Sequence, residues 1–281
     1  MHLSDYLRLV VIEYVPPSLM ALIIGFTFST TVFSITSKLI LGLISATFIV
    51  FGYNTFNAVY DKEIDSINKP NRPLPKGIIK EKNALYLSLI FFLISIILGY
   101  IISTYFFIIT LIATMLAIIY SHPLLYIKKH FLIGTLIGNV IYSILFPLAG
   151  WAIISSTSIP WQIILILFTF GFGIGMLKDF EDIVGDATYK VHTAPAFLGY
   201  SNAILLSSSF LVIALLINTY LILIGTLNIN YIIISIFVIL ALINSYILLI
   251  TRHKKIAIRT FNYGMVILFL MELTIVILKL I

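Results

Sequence analysis

Nine long apolar segments, separated by short breaks that are polar, proline-bearing or charged, constrain this chain more than any other feature. They run over about 11–34, 39–60, 84–103, 105–120, 132–154, 161–177, 202–225, 231–251 and 261–281, lengths close to the roughly 20 residues a helix needs to cross a bilayer. The apolar runs are continuous rather than alternating, which fits helices and argues against a membrane barrel. The expected fold is therefore all-α: a polytopic membrane protein, a nine-transmembrane-helix bundle built as a single domain over residues 1–281.

Charge supports the same division. Only 10% of residues are charged, against about 25% in soluble chains. Asp5, Arg8 and Glu13 precede a full-length apolar run, so the N-terminal stretch reads as the approach to a first span, not as a cleaved leader. The net charge of +6 calls for no nucleic-acid partner, because cytoplasmic loops of membrane proteins are enriched in Lys and Arg. Arg8 and the breaks after the even-numbered segments hold fifteen of the seventeen cations, leaving only Lys38 and Lys279 on the other side. That asymmetry places the N-terminus and the even-numbered loops in the cytoplasm of a multi-pass cell-membrane protein.

The acids are more concentrated still. Seven of eleven lie in two short stretches, Asp61, Glu63 and Asp65, then Asp179, Glu181, Asp182 and Asp186. Both stretches follow an even-numbered segment, and both contain a D-x-x-x-D pair. This pattern suggests an internal repeat, spans 1–4 and spans 5–8, with a ninth span added. Residues four apart lie 40° apart around a helix, so Asn57, Asp61 and Asp65 form one stripe, and Asp182 with Asp186 forms another. Adjacent carboxylates repel unless a cation sits between them. An oxygen-only ligand set suits a hard ion, and Mg²⁺ completes such a set with water and substrate phosphate. Asp61, Asp65, Asp182 and Asp186 are the expected metal ligands, with Asn57 beside them in the catalytic set. The alternative is that these acids pair with Lys62, Lys69, Lys178 and Lys190 in solvated loops.

Cations flank the first stripe. Pro70, Pro73 and Pro75 restrict a loop carrying Lys69, Arg72 and Lys76, where a guanidinium can fork onto phosphate oxygens and the lysines add charge. Lys128 and Lys178 lie on the same side and complete the expected phosphate-binding set. Glu272 is an ionisable group inside the last segment, either a functional residue or a neutral acid bonded to another helix.

These residues resemble the UbiA-type intramembrane prenyltransferases. The likeness rests on Asn57, Asp61 and Asp65 for the first motif and Asp182 with Asp186 for the second. SLMALIIGF, YSHPLLYIKKHFLIGTLIGN and TAPAFLG extend it to about residue 200. INKPNRPLPKG and KDFEDIVGD look most like the archaeal branch that makes digeranylgeranylglyceryl phosphate. The resemblance implies nine helices and Mg²⁺-dependent transfer of a prenyl group, here geranylgeranyl, from its diphosphate. The implied acceptor is a membrane lipid, geranylgeranylglyceryl phosphate. Ala58 stands where the family carries a further Asp. Two rivals are a prenyltransferase acting on an aromatic, quinone- or chlorophyll-type acceptor, and a cation-coupled transporter using the stripes as a permeation site.

Overall fold

The computed structural model describes residues 3–281. It is helical throughout; among the described residues the only strand-like pairing is an isolated bridge between His130 and His192. Among the described residues, eight helices are long and apolar enough to cross a membrane: Ser37–Tyr60, Glu81–Ile102, Thr104–Ser121, Phe131–Ala152, Trp161–Glu181, Tyr200–Leu223, Ile229–Thr251 and Lys255–Leu280. A bent pair, Leu3–Val10 with Ile12–Phe28, supplies the ninth. The expected bundle is thus present, with one difference at its start.

That difference is a break at Val11. The sequence reads as one run from about residue 11 to 34, whereas the chain turns by 53° between Leu3–Val10 and Ile12–Phe28 and leaves the helix after Phe28. Val11 sits in the left-handed region at φ 50°, a costly conformation for a β-branched residue. The carbonyl of Val10 accepts a 3.0 Å hydrogen bond from the Asn54 side chain, which replaces a helical partner where no water is at hand.

Apolar side chains alone do not drive helices together in lipid, so close approach and polar ties matter more. The first and fifth spans show the former: a Cβ on Gly25 would lie 1.8 Å from the Pro147 carbonyl oxygen, and one on Gly150 would lie 1.8 Å from that of Leu22. Polar ties include the Ser45–Ser95 hydroxyl pair at 2.8 Å and Asn244 donating to the Thr260 carbonyl at 2.7 Å. Two large apolar clusters result. One gathers Phe26, Ile49, Phe106 and Ile141 around the first, second, fourth and fifth spans; the other gathers Phe170, Leu211, Val238 and Ile275 around the last four.

Between the clusters lies a cavity. The fifth span widens into a π turn over Ile141–Leu145, and Tyr142 and Ser143 on that turn line the cavity wall. Such turns are frequent at functional sites.

Candidate active site

Each acidic motif is placed by a kink at the end of a span. The second span ends at Tyr60, and after Asp61 the chain continues as the short helix Lys62–Asn68. The sixth is α-helical to Lys178, finishes in a tighter turn over Asp179–Glu181, and the chain continues as Ile183–Thr188. The two short helices pack together. Asn68 accepts a 2.7 Å hydrogen bond from the Gly185 amide, and a Cβ on Gly185 would come within 2.5 Å of the Asn68 side chain. Only glycine allows this approach.

The packing brings the five acidic-motif residues expected from the sequence, Asn57, Asp61, Asp65, Asp182 and Asp186, to the wall of one polar chamber of about 50 Å³. Lys69, Arg72, Lys128 and Lys178 line it as well. Lys76 does not; it faces an outer cavity. Asp61, Asp65 and Asp186 are buried.

Three carboxylates of the chamber each hold a cation. Lys69 Nζ lies 2.6 Å from Asp182 Oδ2 and 2.7 Å from Glu181 Oε1, so the first loop reaches across to the second motif. Arg72 donates to Asp65 Oδ2 at 2.6 Å, and Lys128 pairs with Asp61 Oδ2. These are partly buried pairs within the chamber rather than pairs in solvated loops; the solvated kind is Lys62 with Glu81, at 2.6 Å and largely exposed. Burial, the largest single influence, disfavours the charged form of Lys128, but Asp61, Tyr126 and Asp186 together outweigh it and hold the ammonium above its ordinary range. Burial raises the Asp65 carboxyl, against the pull of Arg72 and Lys69. Asp186 has no such ion pair among the described residues: burial, then Asp182 and Asp179, push it up to about 7.

One oxygen on each motif stays free. Asp61 Oδ1 and Asp182 Oδ1 are buried and accept no hydrogen bond among the described residues, which is costly unless another group completes them. A hard divalent cation fits this donor set of carboxylate oxygens beside an amide. Among the described residues no three acids or histidines are grouped as a ready-made metal cage, so such an ion must draw further oxygens from water or from a bound anion.

Ala58 lies off this chamber. It is buried in a small apolar cluster with Leu9, Leu74, Ile79 and Ala84, where a carboxylate would be unpaired. The cluster pins the basic loop to the N-terminal helix. Asn57 donates to the Ser121 hydroxyl at 3.2 Å, and the His192 amide donates to the Lys129 carbonyl at 3.1 Å, which holds the loop of Lys128 against the segment after the second motif.

Below the chamber the cavity between the spans continues for about 150 Å³. Tyr120, Lys128, Lys178, Asp179 and Thr193 line both spaces. Four tyrosine rings form its upper wall: Tyr142 lies 6.0 Å from Tyr14 and 5.9 Å from Tyr53 between centroids, and Tyr53 lies 5.6 Å from Tyr120. Lys178 Nζ stands 5.6 Å over the Tyr14 ring. Glu272 is also on the cavity wall, eleven residues and so about 16 Å along the last span from Phe261. It is buried, and its Oε2 has no partner among the described residues.

Asn54, Asn68 and the tyrosines do not stand out in the sequence. Asn54 carries a usable signal, since it extends the Asn57, Asp61 and Asp65 stripe by one turn. The tyrosines carry none, because lipid-facing and cavity-facing rings look alike in a chain with 14% aromatic residues.

Comparison with known proteins agrees with this architecture. Residues 17–272 match the model of the UbiA prenyltransferase family. The digeranylgeranylglyceryl phosphate synthase of Methanosphaera stadtmanae is 36% identical over 199 residues, 71% of this chain and 72% of that protein. The enzyme of the same name from Sulfurisphaera tokodaii is 33% identical over 235 residues, 83% of each chain. A solved digeranylgeranylglyceryl phosphate synthase structure superposes with a TM-score of 0.71 at 25% identity, covering 99% of this chain and 98% of that one. A UbiA homologue from Archaeoglobus fulgidus, solved with DMAPP and Mg²⁺, gives 0.74 at 22% identity over 94% of this chain and 99% of its own. Two carboxylate motifs closing one chamber above a membrane cavity, in a nine-span helical bundle, accompany this match in fold and sequence, and the chain belongs to the UbiA prenyltransferase family.

Proposed function

We propose that this protein transfers a geranylgeranyl group from its diphosphate to the free hydroxyl of geranylgeranylglyceryl phosphate, an ether-forming step of archaeal membrane lipid synthesis. The observation that carries this reading is the pair of buried oxygens, Asp61 Oδ1 and Asp182 Oδ1, that have no partner among the described residues, in a chamber that opens onto a tyrosine-lined membrane cavity. The names and coverage of the two archaeal relatives support the acceptor.

Asp61, Asp65, Asp182 and Asp186, with Asn57 assisting, hold Mg²⁺. When bound, it neutralises the diphosphate and stabilises the charge that develops as this group leaves. The protein's own residues do the rest. Lys69, Arg72 and Lys128, which hold the chamber carboxylates in the absence of ligand, turn with Lys178 to the diphosphate oxygens and share the leaving charge. Tyr14, Tyr53, Tyr120 and Tyr142 present ring faces and edges below the chamber, where faces favour an allylic cation. The carbon–oxygen bond to the diphosphate breaks with its electron pair on the leaving group. The acceptor oxygen then bonds the allylic carbon, and its proton passes to an oxygen of the departing diphosphate. The excess of cations at this end of the bundle supports a cytoplasmic site, and clustering of the acids at one end rather than along opposed spans weighs against a permeation pathway.

The test is transfer from labelled geranylgeranyl diphosphate by the purified protein, with geranylgeranylglyceryl phosphate and an aromatic acid offered separately. Magnesium-dependent ether formation with the lipid supports the proposal. Transfer to the aromatic acid alone overturns its acceptor, and no transfer to either overturns the reaction.

A further inference from the structure

An outer cavity of about 1040 Å³ lies beside the acidic chamber, between the first span, the basic loop and the last span. Five cations line it, Arg8, Lys69, Arg72, Lys76 and Lys178, against two acids, Glu13 and Glu181. Glu181 is already taken by Lys69. Lys69, Arg72 and Lys178 form the wall shared with the chamber. Arg8 and Lys76 face the outer cavity alone, and both are exposed without an ion pair among the described residues.

Their placement is built into the fold. The break at Val11 turns the helix Leu3–Val10 by 53°, which carries Arg8 over the cavity instead of along the bilayer normal. Leu9, next in the chain, is buried against the cluster that contains Leu74, and Lys76 lies two residues beyond Leu74. This shared apolar cluster therefore brings Arg8 and Lys76 to the same cavity. A left-handed Val is an unfavourable conformation kept only where the surroundings enforce it; here the Asn54 bond to Val10 enforces it.

The rest of the lining is mostly apolar. Val11, Pro17, Phe261, Met265, Val266 and Phe269 contribute to it, with Asn262 among them, and Val266 is 55% exposed on the last span. A cation-rich rim above an apolar wall open to lipid suits an amphiphile with an anionic head and hydrocarbon chains. The head would sit one residue layer from the diphosphate chamber, across Lys69 and Arg72. The geometry points to Arg8 and Lys76 as the site that binds the phosphate monoester of the lipid acceptor, separate from the residues that bind the donor. This inference rests on the reading of the protein as a prenyltransferase with a phospholipid acceptor. Arg8 can fork onto two phosphate oxygens, and Lys76 adds a point charge.

Equilibrium binding to the full-length protein in detergent tests it without turnover. The probes are radiolabelled geranylgeranylglyceryl phosphate, its dephosphorylated alcohol, inorganic phosphate as competitor, and a non-hydrolysable thio analogue of geranylgeranyl diphosphate with Mg²⁺. R8Q and K76Q each weaken the lipid phosphate about tenfold, the loss expected for a charged hydrogen bond, and Arg8→Lys loses less. The alcohol and the diphosphate analogue bind both variants as they bind wild type, which also reports that the variants are folded. Inorganic phosphate competes far more weakly than the lipid. Unchanged affinity for the lipid phosphate, equal loss of the diphosphate analogue, or free phosphate binding as tightly as the lipid overturns the assignment. Wild-type protein that binds the lipid phosphate through Arg8 and Lys76 yet never prenylates it refutes the proposed reaction and leaves the site standing.

Discussion

The side chain of Asn68 accepts a hydrogen bond from the backbone amide of Gly185 at 2.7 Å, joining the helix after the first acidic motif to the helix after the second. Neither residue bears charge, yet the pair sets the separation of the two carboxylate groups. Gly185→Ala would bring a methyl group within 2.5 Å of Asn68 and push the short helices apart. Asn68→Ala would leave the Gly185 amide without its partner, a cost of about 1–3 kcal/mol. Both variants are expected to lower turnover at least tenfold while circular dichroism of the membrane helices stays unchanged. Wild-type turnover in Gly185→Ala would show that the spacing of the motifs is not critical.

The lone oxygens on Asp61 and Asp182 predict a specific loss. Asn at either position keeps shape and one carbonyl oxygen but removes the charge that a metal requires. Asp61→Asn and Asp182→Asn are expected to weaken Mn²⁺ binding, measured by calorimetry in the presence of inorganic pyrophosphate, by at least tenfold. Ala58→Asp is expected to give no gain in metal affinity and to lower thermal stability, because position 58 is buried among Leu9, Leu74 and Ile79.

Asp186 supplies a pH dependence with a defined sign. Its carboxyl is raised to about 7, so between about pH 4 and 7 the folded chain holds a proton that the unfolded chain has released. The metal-free protein therefore loses stability as pH rises through that window and levels off above it. A metal bound at Asp186 must displace the proton, so metal affinity moves the opposite way, falling by up to about tenfold per unit below pH 7. Thermal melts with and without Mg²⁺ from pH 5 to 8 read both slopes. Asp186→Asn is expected to flatten them.

Gly175 gives a test of where the prenyl chain lies. It lines the membrane cavity, and a Cβ there would meet no atom within 4 Å. Gly175→Leu therefore has open space for its Cβ and narrows the cavity. Discrimination should appear as a larger loss of kcat/KM with geranylgeranyl than with dimethylallyl diphosphate, of at least about tenfold. Equal loss with both donors would place the chain elsewhere.

The spans are legible in the sequence because continuous apolar runs of bilayer length admit few alternatives. The two motifs are legible because a carboxylate at the mouth of a span is costly without a purpose. The break at Val11 is hidden: an apolar residue in an apolar run gives no local sign of left-handed backbone, and the bond from Asn54 that stabilises it comes from 44 positions away. The pairing of Lys69 with Asp182, rather than with acids of its own loop, is equally hidden, since a helix stripe fixes neighbours on one helix and says nothing of contacts 113 positions apart. Loop membership groups Lys76 with the donor site; the proline-restrained turn directs it to the outer cavity instead. Glu272 is recognisable as unusual, but only the fold shows its free oxygen to be on the cavity wall.

The central claim is that the two motifs act as one metal-dependent transfer site. The most direct measurement follows ether product from labelled geranylgeranyl diphosphate and geranylgeranylglyceryl phosphate in wild type, Asp61→Ala and Asp182→Ala, with Mg²⁺ present and after chelation. The account predicts product only in wild type with Mg²⁺, and a loss of about a thousandfold or more in either variant. Product that survives chelation, or that is undiminished in either variant, would contradict it.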